Sequence, residues 1–323
     1  MKAIRFHQPG NPEEVLKLEE ISQPTPSATQ VLVEVKASPV NPSDLFFIRG
    51  AYRRKPIYPQ TAGLEGAGII VDCGSAVTSF KAGDRVAFRL PGTWSEYCLA
   101  EEDALIPIDR DIPFTLASQI GLNPMTAIGL LSEAPLEKGD CLLVDAASST
   151  VSGLVIQLAA ARGIRVIALV RDARHFQELK ALGVETTFLQ NDPDLVRQLT
   201  EVTAGKGIQA FFDAIGGKLL EEIIPLMAQY ATIVCYGNIS NNEKAGITNG
   251  SLVYRNLTLK GFGIDRWLSL RSPEQIRKDY AGIVEDLYAK KILLREIPSV
   301  PLGGLLSYLQ QPGHSEKVIV TNV

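Results

Sequence analysis

The sequence predicts an α/β protein in which a doubly wound parallel sheet follows a mostly antiparallel, barrel-like β domain. Three observations carry that expectation. The first third of the chain is strand-like, with short runs of alternating polarity broken by Gly and Pro. After Pro135, continuous apolar strand runs alternate with helical patterns, which is how a parallel sheet covered on both faces reads. The length of 323 residues fits about two domains at roughly 150 residues each.

In the first domain, residues 1–121, the strand runs are Val31 to Ala37 (VLVEVKA), Gly68 to Cys73 (GIIVDC) and Asp84 to Phe88 (DRVAF), separated by turns such as Pro91-Gly92. The second domain, residues 122–262, is read as strands at Cys141 to Ala147, Arg165 to Val170, Thr186 to Gln190, Ala210 to Ile215 and Thr232 to Tyr236. Helical patterns fill the intervals, reaching Arg162, then covering Ala173 to Leu182, about Pro193 to Thr203, and Lys218 to Ala228. Leu257 to Gly263 is expected to close the sheet; an exposed edge there invites pairing across a two-fold axis, so a homodimer is expected. Residues 263–323 hold a helix around Pro273 to Lys291 and a strand, Lys317 to Thr321, expected to return to the first domain.

Composition narrows the function. Lys and Arg number 32 against 36 Asp and Glu, a net charge of −4 with no dense basic block, which argues against nucleic acid as a partner. No stretch approaches 18 apolar residues, so no membrane span is expected. Met1 to Glu14 lacks the apolar core of an export signal. Cysteines stand singly at 73, 98, 141 and 235, which suits a reducing, cytoplasmic setting and spells neither a disulfide framework nor a thiolate metal site. His7, His175 and His314 have no neighbouring ligand at metal spacing. Each is expected at the surface, leaving a Ser-His-Asp hydrolase without a base. No metal is expected.

A doubly wound sheet binds its ligand where strands end and helix N-termini begin. Here the first such turn is Ala146-Ala147-Ser148-Ser149-Thr150-Val151-Ser152-Gly153. It lacks the G-x-G-x-x-G pattern that lets backbone approach a pyrophosphate. Small hydroxyl residues can still hold an anion, or simply cap the helix. Arg171 directly follows the second strand, with Asp172 and Arg174 beside it. An Arg at that place grips the 2′-phosphate of NADPH, whereas an acid there takes the ribose of NADH. NADPH is the favoured reading; a solvated Arg171 with Asp172 on the ribose is the alternative.

Asn41-Pro42-Ser43-Asp44, Gly50-Ala51-Tyr52, Gly63-Leu64-Glu65-Gly66, Asn123-Pro124-Met125-Thr126-Ala127, the Ser148 turn, Asp213-Ala214-Ile215-Gly216-Gly217 and Tyr236-Gly237 stand in this order. The chain resembles, over nearly its whole length, the medium-chain dehydrogenase/reductase superfamily, and is similar in particular to its zinc-independent quinone oxidoreductases and 2-enoyl thioester reductases. The resemblance implies a GroES-like first domain and a Rossmann-type second one. Zinc enzymes of the superfamily carry Cys where this chain has Asn41 and His where it has Leu64.

Carried over position by position, the resemblance implies that Tyr52 is the proton donor or polarising hydroxyl. It implies cofactor contacts for Asn41, Asn123, Thr126, Ser148, Ser149, Thr150, Val151, Arg171, Asp172, Tyr236, Gly237, Asn238, Ile239, Phe262, Gly263, Ile264 and Lys317, and a substrate contact for Trp267. Thr150 and Ser152 replace usual glycines, and Gly263 replaces a bulky residue. The implied activity is NADPH-dependent hydride transfer to a small electrophile, either a quinone or a C=C conjugated to a carbonyl. A phenol, with an ordinary pKa of about 10, stays protonated and able to donate at neutral pH. Arg49, Arg53, Arg54 and Lys55 form a basic rim around Tyr52, readable either as solvated surface charge or as a receiver for the phosphates of coenzyme A or a carrier protein. A non-catalytic NADPH-binding sensor is the alternative to an enzyme, motivated by the substituted turn.

Overall fold

The computed structural model describes residues 1–108, 111–241, 243–311 and 317–322. His314 lies outside the described residues. The chain divides into two compact units, Met1–Leu122 with Pro273–Val323, and Asn123–Ser272.

The first unit opens with β1 (Lys2–Phe6), α1 (Pro12–Val15), β2 (Lys17–Glu20), β3 (Gln30–Pro39), α2 (Pro42–Ile48) and β4 (Gln60–Thr61). It continues through β5 (Gly66–Cys73), β6 (Arg85–Phe88), β7 (Tyr97–Glu101), β8 (Leu105–Pro107) and α3 (Phe114–Ala117). β3 is the hub, antiparallel to β5 on one side and to β7 on the other. Val31, Val33 and Val35 alternate along it and bury one face against Ile70, Val86 and Phe88, the period of two that a half-buried strand requires.

The second unit comprises α4 (Asn123–Ser132), β9 (Cys141–Val144), α5 (Thr150–Ala161), β10 (Arg165–Val170), α6 (Phe176–Ala181), β11 (Thr186–Leu189), α7 (Leu195–Val202), β12 (Ile208–Asp213), α8 (Gly217–Ile223), β13 (Met227–Cys235), α9 (Asn249–Val253), β14 (Thr258–Gly261) and α10 (Ile264–Ser269). Its strands lie in the order β11-β10-β9-β12-β13-β14, all pairs parallel. Every residue of β9 is buried, as expected of a central strand covered on both faces. The helix expected to reach Ala228 stops at Ile223, because Pro225 lacks the N–H a helix needs and Met227 already pairs with Ile208. β14 forms the sheet edge. Beside it Tyr230 and Tyr254 are 75% and 83% exposed, and the Tyr230 N–H donates to Arg255 O at 2.8 Å.

The chain returns to the first unit through α11 (Pro273–Tyr288), β15 (Ser299–Pro301), α12 (Leu305–Leu309) and β16 (Ile319–Thr321). The first unit's main sheet then runs β15-β16-β3-β5-β6-β8, with β7 off this path on β3, and a second sheet runs β2-β1-β4. α10 departs from the expected division at residue 262. It stays with the second unit, because the Trp267 Nε1 donates to Ser132 Oγ on α4 at 3.0 Å. Among the described residues no helix is long and apolar enough to cross a membrane. His7 is exposed and 2.6 Å from Glu19, whereas the His175 side chain is only 17% exposed beside Glu178.

Candidate functional site

In the second unit the turn between β9 and α5 brings together groups far apart in sequence. Ala146 takes φ +41°, a left-handed conformation that glycine adopts without strain. Ser149 caps α5, its Oγ accepting from the Ser152 N–H at 3.2 Å; Ser148, Thr150 and Val151 are half-buried around it. Ser152, where the resemblance expects glycine, is fully buried. Its hydroxyl donates to Asp145 O at 3.1 Å and lies 3.0 Å from Ser149 Oγ and 2.9 Å from the Tyr236 hydroxyl. A hydroxyl has one proton and two lone pairs, so Ser149 and Tyr236 are the donors here.

Beneath this turn Asp145, just after β9, and Asp213, the last residue of β12, are buried carboxyls. Asp145 accepts from the N–H groups of Ala214 and Ile215 at 2.7 and 3.3 Å, and Asp213 accepts from those of Ile215 and Gly216 at 3.0 and 2.7 Å. Burial, then the charge and hydrogen bond of Asp213, push the Asp145 carboxyl well above its ordinary range. Two adjacent buried carboxyls resist ionising together, which with burial is the physical cause of the rise at Asp145. Burial also raises the Tyr236 phenol and, with Asp213 beside it, pushes the Cys235 thiol up to about 12. The loop after β12 anchors the next segment. Tyr236 N–H donates to Asp213 O at 2.9 Å and Ile239 N–H to Ala214 O at 3.0 Å. At Gly237 a Cβ would stand 2.5 Å from Ala214 O, so only glycine allows that approach. Tyr236, Gly237, Asn238 and Ile239 thus gather with the Ser149 turn at the carboxyl ends of the strands.

At the end of β10, Asp172 caps a short helical turn, accepting from the Arg174 N–H at 2.9 Å and approaching the Arg174 guanidinium at 3.4 Å. Arg171 is exposed and, among the described residues, has no such partner. Asn123 and Thr126 are buried on α4. After β14, Phe262 N–H donates to Cys235 O at 2.8 Å, Gly263 caps α10 in an extended conformation open to any residue, and Ile264 is buried. Trp267, expected at the substrate, packs into the second unit. It is 8% exposed, its N–H is bonded to Ser132, and the Arg271 guanidinium lies 4.2 Å over its ring.

In the first unit, Asn41 caps α2; its N–H donates to Asp44 Oδ2 and its Nδ2 to Glu65 Oε1, both at 2.7 Å. Glu65 Oε2, Asp44 Oδ1 and Lys317 Nζ are buried with no hydrogen-bond partner among the described residues. The Lys317 stem is half-exposed, but its ammonium is shut off from solvent. Burial pushes the Asp44 carboxyl up to about 8 and raises that of Glu65. Burial lowers the Lys317 ammonium, against the pull of Glu65 and Asp44. Tyr52 packs its ring against the core that includes Phe6, Phe47 and Ile48, and its N–H donates to Phe46 O at 3.1 Å.

Sequence reasoning gave no role to Asp44, Glu65, Asp145, Asp213 or Cys235. An available signal was the acid ending each of the apolar runs LLVD and AFFD, since ligands gather where such strands end.

Residues 150–278 match the family model "Zinc-binding dehydrogenase" and residues 27–110 match "Alcohol dehydrogenase GroES-like domain". The chain is 33% identical over 301 residues to the mitochondrial enoyl-[acyl-carrier-protein] reductase of Arabidopsis thaliana, covering 88% of this chain and 78% of that protein. It is 30% identical over 334 residues to the Homo sapiens protein of the same name, covering 99% and 88%. Among solved structures, a putative NADPH:quinone reductase from Bacillus thuringiensis superposes with a TM-score of 0.92 at 27% identity, covering 100% of this chain and 99% of that one. The Escherichia coli quinone oxidoreductase complexed with NADPH shares the fold, with a TM-score of 0.87 at 24% identity and full coverage of both chains.

The zinc of the first family description does not fit the residues present. Zinc takes thiolate, imidazole or carboxylate ligands, whereas the Asn41 amide donates its N–H to Glu65 and Leu64 is a buried hydrocarbon. With its fold, its turn chemistry and these relatives, the chain belongs to the medium-chain dehydrogenase/reductase superfamily, in the branch that holds the quinone oxidoreductases and enoyl thioester reductases.

Proposed function

We propose that the protein is an NADPH-dependent reductase that acts without zinc on quinones or on a C=C conjugated to a carbonyl. The observation that carries the cofactor choice lies at the end of β10. Asp172 is occupied by Arg174, while Arg171 is exposed and unpaired among the described residues, suited to a bidentate phosphate grip. The other residues that would hold NADPH are Ser148, Ser149, Thr150 and Val151 at the α5 N-terminus, whose partial positive charge favours pyrophosphate, and Tyr236 to Ile239. Asn41, Asn123, Thr126, Phe262, Gly263, Ile264 and Lys317 join them on the strength of the family resemblance. The Ser152 hydroxyl is fully engaged within the protein, which accommodates the lost glycine at that position.

Bound NADPH supplies a hydride, a two-electron reductant, to the β carbon of the acceptor. Tyr52 donates a hydrogen bond to the acceptor carbonyl oxygen, stabilising the negative charge that develops there, and is the proposed source of the proton that completes the reduction. Its packed ring fixes where the hydroxyl can reach. The protein is also proposed to be a homodimer paired along β14, where Tyr230 and Tyr254 border an open sheet edge. Four free cysteines among the described residues suit a reducing cytoplasm.

The deciding experiment compares oxidation of NADPH and NADH with 1,4-benzoquinone, 9,10-phenanthrenequinone and crotonyl-coenzyme A, on wild type and Arg171→Ala. Rapid NADPH oxidation that collapses in the variant is expected. Tight NADPH binding without oxidation by any acceptor would overturn the reductase reading in favour of a non-catalytic binding protein.

A further inference from the structure

Asp145 stands where two segments at the carboxyl ends of the second unit's strands meet. Its main-chain O accepts from the Ser152 hydroxyl at 3.1 Å, and Ser152 Oγ lies 2.9 Å from the Tyr236 hydroxyl. Its carboxyl accepts from Ala214 N–H at 2.7 Å, and Ala214 O accepts in turn from Ile239 N–H at 3.0 Å. One residue therefore braces the α5 turn through its backbone and the Tyr236–Ile239 segment through its side chain. The Ile215 N–H is shared, 3.3 Å from Asp145 Oδ2 and 3.0 Å from Asp213 Oδ1, and two acceptors of one donor lie within a few ångströms of each other. Facing the pair are the Cys235 thiol at the end of β13, the Tyr236 phenol of the loop that follows, and the Ser149 and Ser152 hydroxyls at the start of α5. Both carboxyls are buried, and among the described residues neither enters an ion pair. A buried anion without a cation is costly, and two side by side are relieved when one of them takes a proton.

We propose that Asp145 is a positioning residue for the cofactor: in its neutral form, its proton directed at Asp213, it holds the Ser149 turn and the Tyr236–Ile239 segment in the arrangement that binds NADPH. This rests on the reading of those two segments as holders of the cofactor. Loss of the proton to solvent leaves like charges on both sides of the Ile215 N–H, and their repulsion drives Asp145 off the Ala214 N–H. Ala214 O then no longer fixes Ile239, and the segment parts from the turn. Burial and the neighbouring Asp213 both favour the neutral form of Asp145, so cofactor affinity is complete at low pH and falls as pH rises. A carboxyl that merely filled space would leave affinity indifferent to its own ionisation.

The test titrates NADPH and NADH, followed by nicotinamide fluorescence, into wild type and Asp145→Asn between about pH 6 and about pH 10, where ordinary carboxyls are already ionised. Asn keeps an acceptor oxygen for the Ala214 N–H and a donor toward Asp213 but has no proton to lose. The wild-type dissociation constant is expected to rise with pH, by up to about tenfold per unit once the proton leaves, and the variant is expected to show no such rise. Both cofactors should behave alike, because NADH lacks the 2′-phosphate and reads the two segments alone. Asp213→Asn removes only the neighbouring charge and is expected to move the wild-type rise to lower pH. In the infrared, the carbonyl band of protonated carboxyls at neutral pH should be larger in wild type than in Asp145→Asn. The same pH course in wild type and Asp145→Asn, a rise confined to NADPH, or equal infrared bands would overturn the positioning role and leave the reductase reading standing. Absence of binding by either cofactor at every pH would overturn that reading and this role together. Should Asp145→Asn fail to fold, wild type and Asp213→Asn decide: a rise at lower pH supports the role, and an unmoved one overturns it.

Discussion

The Tyr236 hydroxyl lies 2.9 Å from the Ser152 hydroxyl, joining residues 84 positions apart. Ser152 also bonds Asp145 O and Ser149 Oγ, so a side chain that breaks the glycine pattern of the turn has become its knot.

Restoring the glycine is expected to harm the protein. Ser152→Gly removes three hydrogen bonds, each worth about 1 kcal/mol net, and places glycine in a helix at a further cost of about 0.5–1 kcal/mol. A loss of roughly 2 kcal/mol or more in urea unfolding is expected, and about 1 kcal/mol for Tyr236→Phe. The two substitutions should be non-additive in a double-mutant cycle. A neutral Ser152→Gly would show that the hydroxyl network carries no stability.

Arg171→Ala is expected to weaken NADPH binding by roughly 10- to 100-fold, the worth of charge-assisted bonds to a phosphate, and to leave NADH binding nearly unchanged. Titration by nicotinamide fluorescence reads both. Equal weakening of the two cofactors would remove Arg171 from the 2′-phosphate.

Tyr52→Phe keeps the ring that packs against the first unit's core and removes only the hydroxyl. A fall in kcat of about 100-fold, typical of a lost general acid, is expected with unchanged NADPH affinity and thermal stability. Full activity on every accepted substrate would end its catalytic role.

Buried Asp44 makes stability depend on pH. Burial raises its carboxyl from an ordinary 3.8 to about 8, so the folded state holds the proton more tightly than the unfolded chain. Its stabilising contribution is complete below about pH 4 and is lost as pH rises to about 8, with a slope of at most about 1.4 kcal/mol per pH unit. Raised Glu65 acts in the same direction, whereas depressed Lys317 acts in the opposite one. Asp44→Asn retains an oxygen acceptor for the Asn41 N–H and should flatten the decline of Tm across this window. An unaltered profile would place the proton elsewhere.

The homodimer is checked by light scattering. Tyr230→Glu with Tyr254→Glu places charge beside the β14 edge and is expected to shift a dimeric mass to a monomeric one while far-ultraviolet circular dichroism stays the same. A wild-type monomer at working concentration would refute the assembly outright.

Much of the architecture was legible in sequence because apolar periodicity is a local property. Arg165–Val170 is a strand at the expected bounds, and strands ending beside a small-residue turn already pointed to the region where Ser149 caps α5. Local pattern failed where a distant partner decided the outcome. The expected helix over Lys218 to Ala228 yielded to β13, whose first residue pairs across the sheet with Ile208. The N–H of Trp267 found its acceptor in Ser132, 135 positions away.

The sequence by itself determined the family, the parallel sheet and the small hydroxyl residues of the nucleotide turn, because these depend on residue size, polarity and spacing along one stretch of chain. Only the tertiary structure decided how the polar groups are partnered: Ser152 with Tyr236, Asp145 with Asp213, and Glu65 with Asn41 near a buried Lys317. The physical reason is that the state of a buried polar or ionisable group follows from desolvation and from whichever donors and charges folding brings within a few ångströms, and spacing along the chain does not encode that distance.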